Sequence, residues 1–141
     1  MRRIVLALSV FALTTGPAAV VSAPEPALAQ ASCRARTPAP GTLQRVSILN
    51  ALRPHVEAMA GEDVEFVVQS MRVACTWARV LVRPQTPGGG GNRYESVDAL
   101  LENRGGTWRL RQIACMEVGC DPAADQYAAL YPNLPTALLF L

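Results

Sequence analysis

The sequence predicts an α+β fold, in which one N-terminal helix packs on a curled antiparallel sheet of about four strands, followed by a short C-terminal helix and an extended tail. Two observations lead to this prediction. The segment 43–59 carries apolar residues at three- and four-residue steps, as one face of a helix does. The segments after it are short, rich in β-branched and aromatic residues, and separated by turns that contain glycine or proline.

The N-terminal helix is predicted to begin after Thr42, a suitable N-cap, and to end at Gly61. Pro54 interrupts the pattern, because proline cannot donate a hydrogen bond to the carbonyl of Asn50 and its ring crowds that group. We therefore expect the helix to kink or restart there. The predicted stripe of this helix comprises Leu43, Val46, Leu49, either Leu52 or Arg53, Val56 and Met59.

Strands are considered for four segments: 64–73, 76–83, 94–102 and 107–116. The first two are close enough to form a hairpin around Ala74-Cys75. The segment 94–102 is ambiguous, because its apolar residues fit both a strand and one side of a helix. A strand is favoured, since Arg104-Gly105-Gly106 would then make a natural turn. The glycine-rich stretch 84–92 is expected to be a flexible loop.

The end of the chain is predicted to differ from the sheet. Asp121 is expected to cap a short helix over 123–131, with Pro122 at its first position. Two prolines after this helix then force an extended tail. The apolar residues Leu138-Leu139-Phe140-Leu141 are expected to pack on the domain.

The beginning of the chain, residues 1–29, is typical of a secretory signal peptide. Met1-Arg2-Arg3 is a positive start, and Ile4–Leu13 is an apolar run that is too short to span a bilayer. Small residues then form two suitable cleavage sites, after residue 29 and after residue 31. The protein is therefore expected to be periplasmic or secreted.

Cleavage would leave a flexible arm over 30–41 and a single domain over 42–141. An uncleaved membrane anchor is disfavoured by the short apolar run, and a lipid-anchored Cys33 is disfavoured by Gln30. No stable membrane span is expected after cleavage. Loss of the leader lowers the net charge from +2 to +1, so no strong field draws the domain to nucleic acid or to a membrane surface.

Four cysteines lie after the proposed cleavage sites. An even number in a small exported domain predicts two disulfides, for which three pairings are possible. The favoured pairing joins Cys33 to Cys75, which ties the arm to the sheet, and Cys115 to Cys120 across a tight loop. Metal binding and redox activity are disfavoured, because both favour closely spaced Cys-x-x-Cys pairs and the sequence has none. No cofactor is predicted.

The strongest candidate for a binding site is a set of arginines on two strands. Alternation places Arg79 and Arg83 on one side of the second strand, and Arg109 and Arg111 on one side of the last strand. Trp77 lies on the same side as Arg79. If the strands share a sheet, these residues form a basic patch whose guanidinium groups suit an acidic ligand or another envelope protein. The alternative is an ordinary solvated sheet face.

Catalytic residues are not predicted. His55 is the only histidine, and it is expected to be a partly exposed helix residue. Glu95, Asp98 and Glu102 lie near the flexible loop, but nothing singles out one pair of carboxylates for acid–base chemistry. The sequence therefore favours a non-catalytic periplasmic or secreted binding module. The alternative is a small hydrolase-like enzyme that uses His55 or a carboxylate in the mouth of the folded sheet.

Three stretches carry a resemblance to a known family: RVSILNALRPHVE, VEFVVQSMRVACTWARV and ALLENRGGTWRLRQI. Together they resemble a family of small uncharacterised bacterial exported proteins, and the similarity covers about residues 45–113. The predicted architecture also resembles cystatin-like and nuclear-transport-factor-like rolls. The resemblance implies export and a roll-like fold, and it implies no activity.

Overall fold

A computed structural model describes residues 33–89 and 94–141 of the protein. The proposed signal peptide and its cleavage sites lie outside the described residues. The described elements are the helix α1 (Leu43–Ala60), the strands β1 (Glu65–Ala74), β2 (Trp77–Gln85), β3 (Val97–Arg104) and β4 (Thr107–Ile113), the helix α2 (Ala123–Leu130) and a 3-10 turn (Thr136–Leu138). This order confirms the predicted α+β class.

Helix α1 begins and ends where the sequence predicts. The Thr42 hydroxyl accepts a hydrogen bond from the backbone N–H of Arg45 at 3.4 Å. At the other end, Gly61 adopts a left-handed conformation with φ of 73°, which glycine tolerates without a steric penalty. The 18-residue helix runs through Pro54, so it does not restart there.

The buried face of α1 differs from the predicted stripe. Ile48, Leu52 and Val56 are buried at four-residue steps, whereas Leu43 is 87% exposed. A four-residue step drifts slowly around a helix, and the three residues therefore form one narrow stripe against the sheet.

The four strands form one antiparallel sheet in the order β1-β2-β3-β4. The β1–β2 hairpin turns at Cys75-Thr76, between the paired residues Ala74 and Trp77. The ambiguous segment is strand β3, as favoured from the sequence. Its turn into β4 has positive φ at both Gly105 and Gly106, as a tight two-residue hairpin requires.

Each face of the sheet is covered by a different part of the chain. Helix α1 packs on the first face and forms the larger core, which includes Ile48, Leu52, Val56, Val64, Met71, Val73, Ala78, Val80, Val82, Ala99, Leu101 and Trp108. The C-terminal segment packs on the second face, where the buried residues are Ala74, Leu100, Ala114, Tyr127, Leu134 and Leu138. The sheet is therefore the middle layer of three.

The C-terminal segment departs from its predicted form in two places. The N-cap of α2 is Pro122, without a side-chain cap, so the expected capping role of Asp121 is wrong. The tail contains the 3-10 turn and is not extended throughout, because Leu138 turns inward and is completely buried. Phe140 remains 74% exposed, so only part of the apolar end packs on the domain.

Both favoured disulfides are present, Cys33–Cys75 and Cys115–Cys120. The first joins the arm to the β1–β2 turn, and a pair of backbone hydrogen bonds between Arg36 and Val73 continues that attachment. The described part of the chain contains no free cysteine. None of its helices is long and apolar enough to cross a membrane.

Candidate functional site

Arg79 lies in a buried network on the second face of the sheet. Its Nε donates to Oδ1 of Asp98 at 3.0 Å, and its Nη2 donates to Oδ2 at 2.7 Å. Its Nη1 donates to the carbonyls of Leu138 at 3.1 Å and Leu139 at 2.8 Å. The Tyr127 hydroxyl donates to Oδ1 of Asp98 at 3.0 Å. This network joins β2 and β3 to α2 and the tail.

The network is almost completely buried, which favours a structural role. The side chains of Arg79 and Asp98 are only 7% and 4% exposed. Burial is the main cause that raises the pKa of Tyr127 well above its ordinary value, and the charge and hydrogen bond of Asp98 raise it further. The expectation that Arg79 projects outward into an open basic patch is therefore wrong.

Trp77 is also covered on this face. Its ring lies 5.3 Å from that of Tyr131, at an angle of 58°. In the sheet, Trp77 pairs with Glu102, and Glu102 pairs with Arg109 on the next strand. A carboxylate therefore separates the tryptophan from the exposed arginine, which weakens the predicted basic patch at its centre.

The other predicted arginines remain accessible, but they do not form one open surface. Nε of Arg111 lies 3.5 Å from Oε2 of Glu102, and the guanidinium group of Arg111 lies 5.9 Å from the ring centre of Tyr131. Arg83 is half-buried at the far end of β2, where it pairs with Val67 of β1. The predicted binding role of these residues stays a prediction.

A groove with mainly apolar walls lies at one end of the sheet. It has a volume of about 320 Å³, which lies at the small end of the range for small-molecule sites. The C-terminal end of α1, the last residues of β2 and β4, and the first residues of β3 form its walls. Its lining residues are Val56, Met59, Ala60, Pro84, Tyr94, Glu95, Ser96, Val97, Ile113, Ala114, Cys115, Met116 and Glu117.

The polar groups of this groove are few and are acidic or neutral. Glu95 and Glu117 contribute carboxylates, both exposed. Ser96 donates its hydroxyl proton to Oε1 of Gln69 at 3.0 Å. Tyr94 donates its hydroxyl proton to the carboxylate of Glu62, which holds the aromatic ring at the rim. The groove therefore combines apolar walls with carboxylates near its opening.

A second cavity, of about 340 Å³, lies on the second face and is more polar. Arg79 and Asp98 line it, together with the loop closed by the Cys115–Cys120 disulfide. Because the charges of Arg79 and Asp98 are satisfied by each other, this cavity offers a ligand no unpaired charge from that pair. The groove is the better candidate site.

His55 does not belong to either cavity. It is exposed on α1, as expected, and it lines neither the groove nor the polar cavity. Among residues 33–89 and 94–141, no group of three or more His, Cys, Asp or Glu side chains is placed to hold a metal ion.

Comparison of the chain with models of protein families, with curated proteins and with solved structures found no match. The resemblance to a bacterial exported family and to cystatin-like or nuclear-transport-factor-like rolls stays a prediction.

Proposed function

We propose that this protein is a non-catalytic exported binding module and that its ligand occupies the groove at the end of the sheet. One observation carries the proposal: a cavity of about 320 Å³ with mainly apolar walls opens at the end of the sheet where α1, β2, β3 and β4 meet. Apolar concave sites with a few polar groups are the usual form of small-molecule sites.

The chemistry of the groove supports binding more than catalysis. A nucleophilic serine needs a base within hydrogen-bond reach, and Ser96 instead donates to the amide oxygen of Gln69. His55 lies outside the groove, so the enzyme alternative would have to use Glu95 or Glu117. A protein that only binds needs none of these groups to act as acid or base.

Two disulfides agree with an oxidising compartment, and we place the protein in the periplasm or outside the cell. The mass of the protein recovered from its own cells tests this placement. A mass that starts at Gln30 or Ser32 and lacks four thiol hydrogens supports export. A full-length mass with four free thiols would contradict it.

The groove is tested with Nile red, a neutral apolar dye whose emission increases when it leaves water. Ala60→Trp places an indole in the groove, whereas Ala58→Trp adds the same group to an exposed position of α1 outside it. Loss of roughly 55 Å² of apolar contact at about 25 cal/mol per Å² corresponds to about tenfold weaker binding. We expect this loss for Ala60→Trp and none for Ala58→Trp.

Equal binding by the two variants would show that the dye does not occupy the groove and would overturn the proposal. Circular dichroism shows whether each variant is folded. If Ala60→Trp does not fold, Met59→Trp provides the same test, because the Met59 side chain lines the groove and the residue is 60% exposed.

A further inference from the structure

The lining of the groove is acidic, although the described domain has no excess of acidic residues. Residues 33–89 and 94–141 contain ten arginines and ten acidic residues, so a randomly chosen surface would carry both signs about equally. The described residues that line the groove include Glu95 and Glu117 and no basic side chain. The acidic character of this site is therefore a local property and does not follow from composition.

An aromatic ring accompanies these carboxylates. Tyr94 lines the groove, and its hydroxyl donates to the Glu62 carboxylate. This hydrogen bond holds the side chain of Tyr94 in place. An aromatic ring attracts a cation that lies near its face. Two carboxylates and an aromatic side chain among the lining residues therefore favour a positively charged ligand group.

Opposite the rim, the groove floor is apolar. Val56 is buried and Val97 and Ile113 are half-buried, and all three line it. The groove, of about 320 Å³, lies at the small end of the range for small-molecule sites. The occupant therefore needs a short apolar body, which displaces water from the floor, and a polar end near the rim.

From these features we infer that the ligand is a small amphiphilic cation, with a short apolar body and one ammonium group. The apolar body lies against the floor, and the ammonium group lies among Glu95, Glu117 and the Tyr94 ring. The inference rests on the proposed function, since it names the ligand class of the same groove. It differs from the acidic ligand expected for the arginine-bearing face, which is a separate surface.

The test uses three probes with one eight-carbon chain and different headgroups: octylammonium, octanol and octanoate. Each is titrated by isothermal calorimetry into the protein with both disulfides formed. Exposed ion pairs contribute up to about 1 kcal/mol, which is about fivefold in affinity. We expect octylammonium to bind about two- to fivefold more tightly than octanol, and octanoate to bind more weakly than octanol.

The matched variants separate the carboxylates of the groove from total charge. Glu95→Gln with Glu117→Gln removes the two carboxylates that line the groove, and should abolish the preference for octylammonium while leaving octanol binding unchanged. Glu65→Gln with Asp125→Asn changes the net charge equally at exposed positions outside the groove, and should keep the preference.

The outcomes distinguish the two proposals. Equal binding of octylammonium and octanol, with Nile red still blocked by Ala60→Trp, would overturn the inferred ligand class and leave the binding groove in place. An unchanged preference in the Glu95→Gln, Glu117→Gln variant would also overturn it. If neither the three probes nor Nile red bind, the proposed function itself is wrong.

Discussion

Replacement of Asp98 by Asn tests whether the C-terminal segment seals the second face of the sheet. The substitution keeps the shape of the side chain and removes its charge. Arg79 is then left with a positive charge that it cannot lose, because the guanidinium group stays protonated in proteins. Nothing else among its described hydrogen-bond partners carries a negative charge, since the others are the carbonyls of Leu138 and Leu139.

The structure sets the size of the expected effect. Arg79 and Asp98 form two hydrogen bonds, at 3.0 and 2.7 Å, and their side chains are 7% and 4% exposed. Removal of one partner from such a buried pair typically costs about 3–5 kcal/mol, because the remaining charge is uncompensated. The free energy of unfolding of a protein domain is typically about 5–15 kcal/mol, so the Asp98→Asn variant should lose a large share of its stability.

The chain contains a matched surface pair. Nε of Arg104 lies 2.8 Å from Oε2 of Glu102, and the side chain of Arg104 is 59% exposed, whereas that of Glu102 is 15% exposed. Exposed pairs contribute about 0–1 kcal/mol, so Arg104→Ala should have little effect. The free energy of unfolding of both variants is measured by urea denaturation at neutral pH, with tryptophan fluorescence as the signal. Trp77 is suited to this purpose, because it packs on Tyr131 of the C-terminal segment.

A loss below about 1 kcal/mol for Asp98→Asn, similar to that of the exposed pair, would show that the ion pair is not buried in solution. Water would then reach Arg79, and the tail would not cover this face. Arg79 would in that case again be available to the predicted basic patch.

Two further predictions concern the same face. Burial raises the pKa of Tyr127 in the folded state, so only the unfolded state loses this proton as the pH rises above about 10. The free energy of unfolding should therefore fall by about 1.4 kcal/mol between pH 9 and pH 11. The free energy of unfolding of Tyr127→Phe, measured by urea denaturation, should lack this part of the pH dependence. An identical pH dependence in the two proteins would show that Tyr127 does not cause it. The two disulfides should differ in effect, because Cys33–Cys75 spans 42 residues and Cys115–Cys120 only 5. The loop entropy of the unfolded chain predicts a stabilisation of about 4 kcal/mol by the first disulfide and about 2 kcal/mol by the second. Replacing both cysteines of one disulfide by serine should therefore cost more stability for the first, and the reverse order would contradict this prediction.

The elements of the fold could be predicted because their signals are local. Thr42 and Gly61 mark the ends of α1, and the Gly105-Gly106 turn favoured β3 as a strand over a helix. The role of Arg79 could not be predicted in the same way. Alternation correctly placed it opposite the α1 face, but whether that side is exposed depends on Leu138, 59 residues later in the chain. Period-two alternation identifies a face of a strand and cannot tell which distant segment covers it.

The groove was missed for a related reason. Its walls come from four elements that are distant in the sequence, and its residues have no common spacing. The nearest sequence signal was the alternative that placed a site in the mouth of the folded sheet, with Glu95 as one of three carboxylates near the flexible loop. Met59 is a further indication, but only the structure reveals it. This apolar residue belongs to the predicted stripe and yet is 60% exposed, so it marks a part of α1 that nothing covers.

The distribution of covered surface explains why the groove is the stronger candidate for a binding site. Helix α1 covers one face of the sheet, and the C-terminal segment covers Trp77 and Arg79 on the other. Stabilising contacts on the second face, including the Cys33–Cys75 disulfide at the β1–β2 turn, tie both ends of the described domain to the sheet. A ligand that used this face would have to displace those contacts, at a cost of several kcal/mol for the buried ion pair alone. The groove is already open at the end of the sheet and requires no such displacement, so binding there leaves the stabilising network intact.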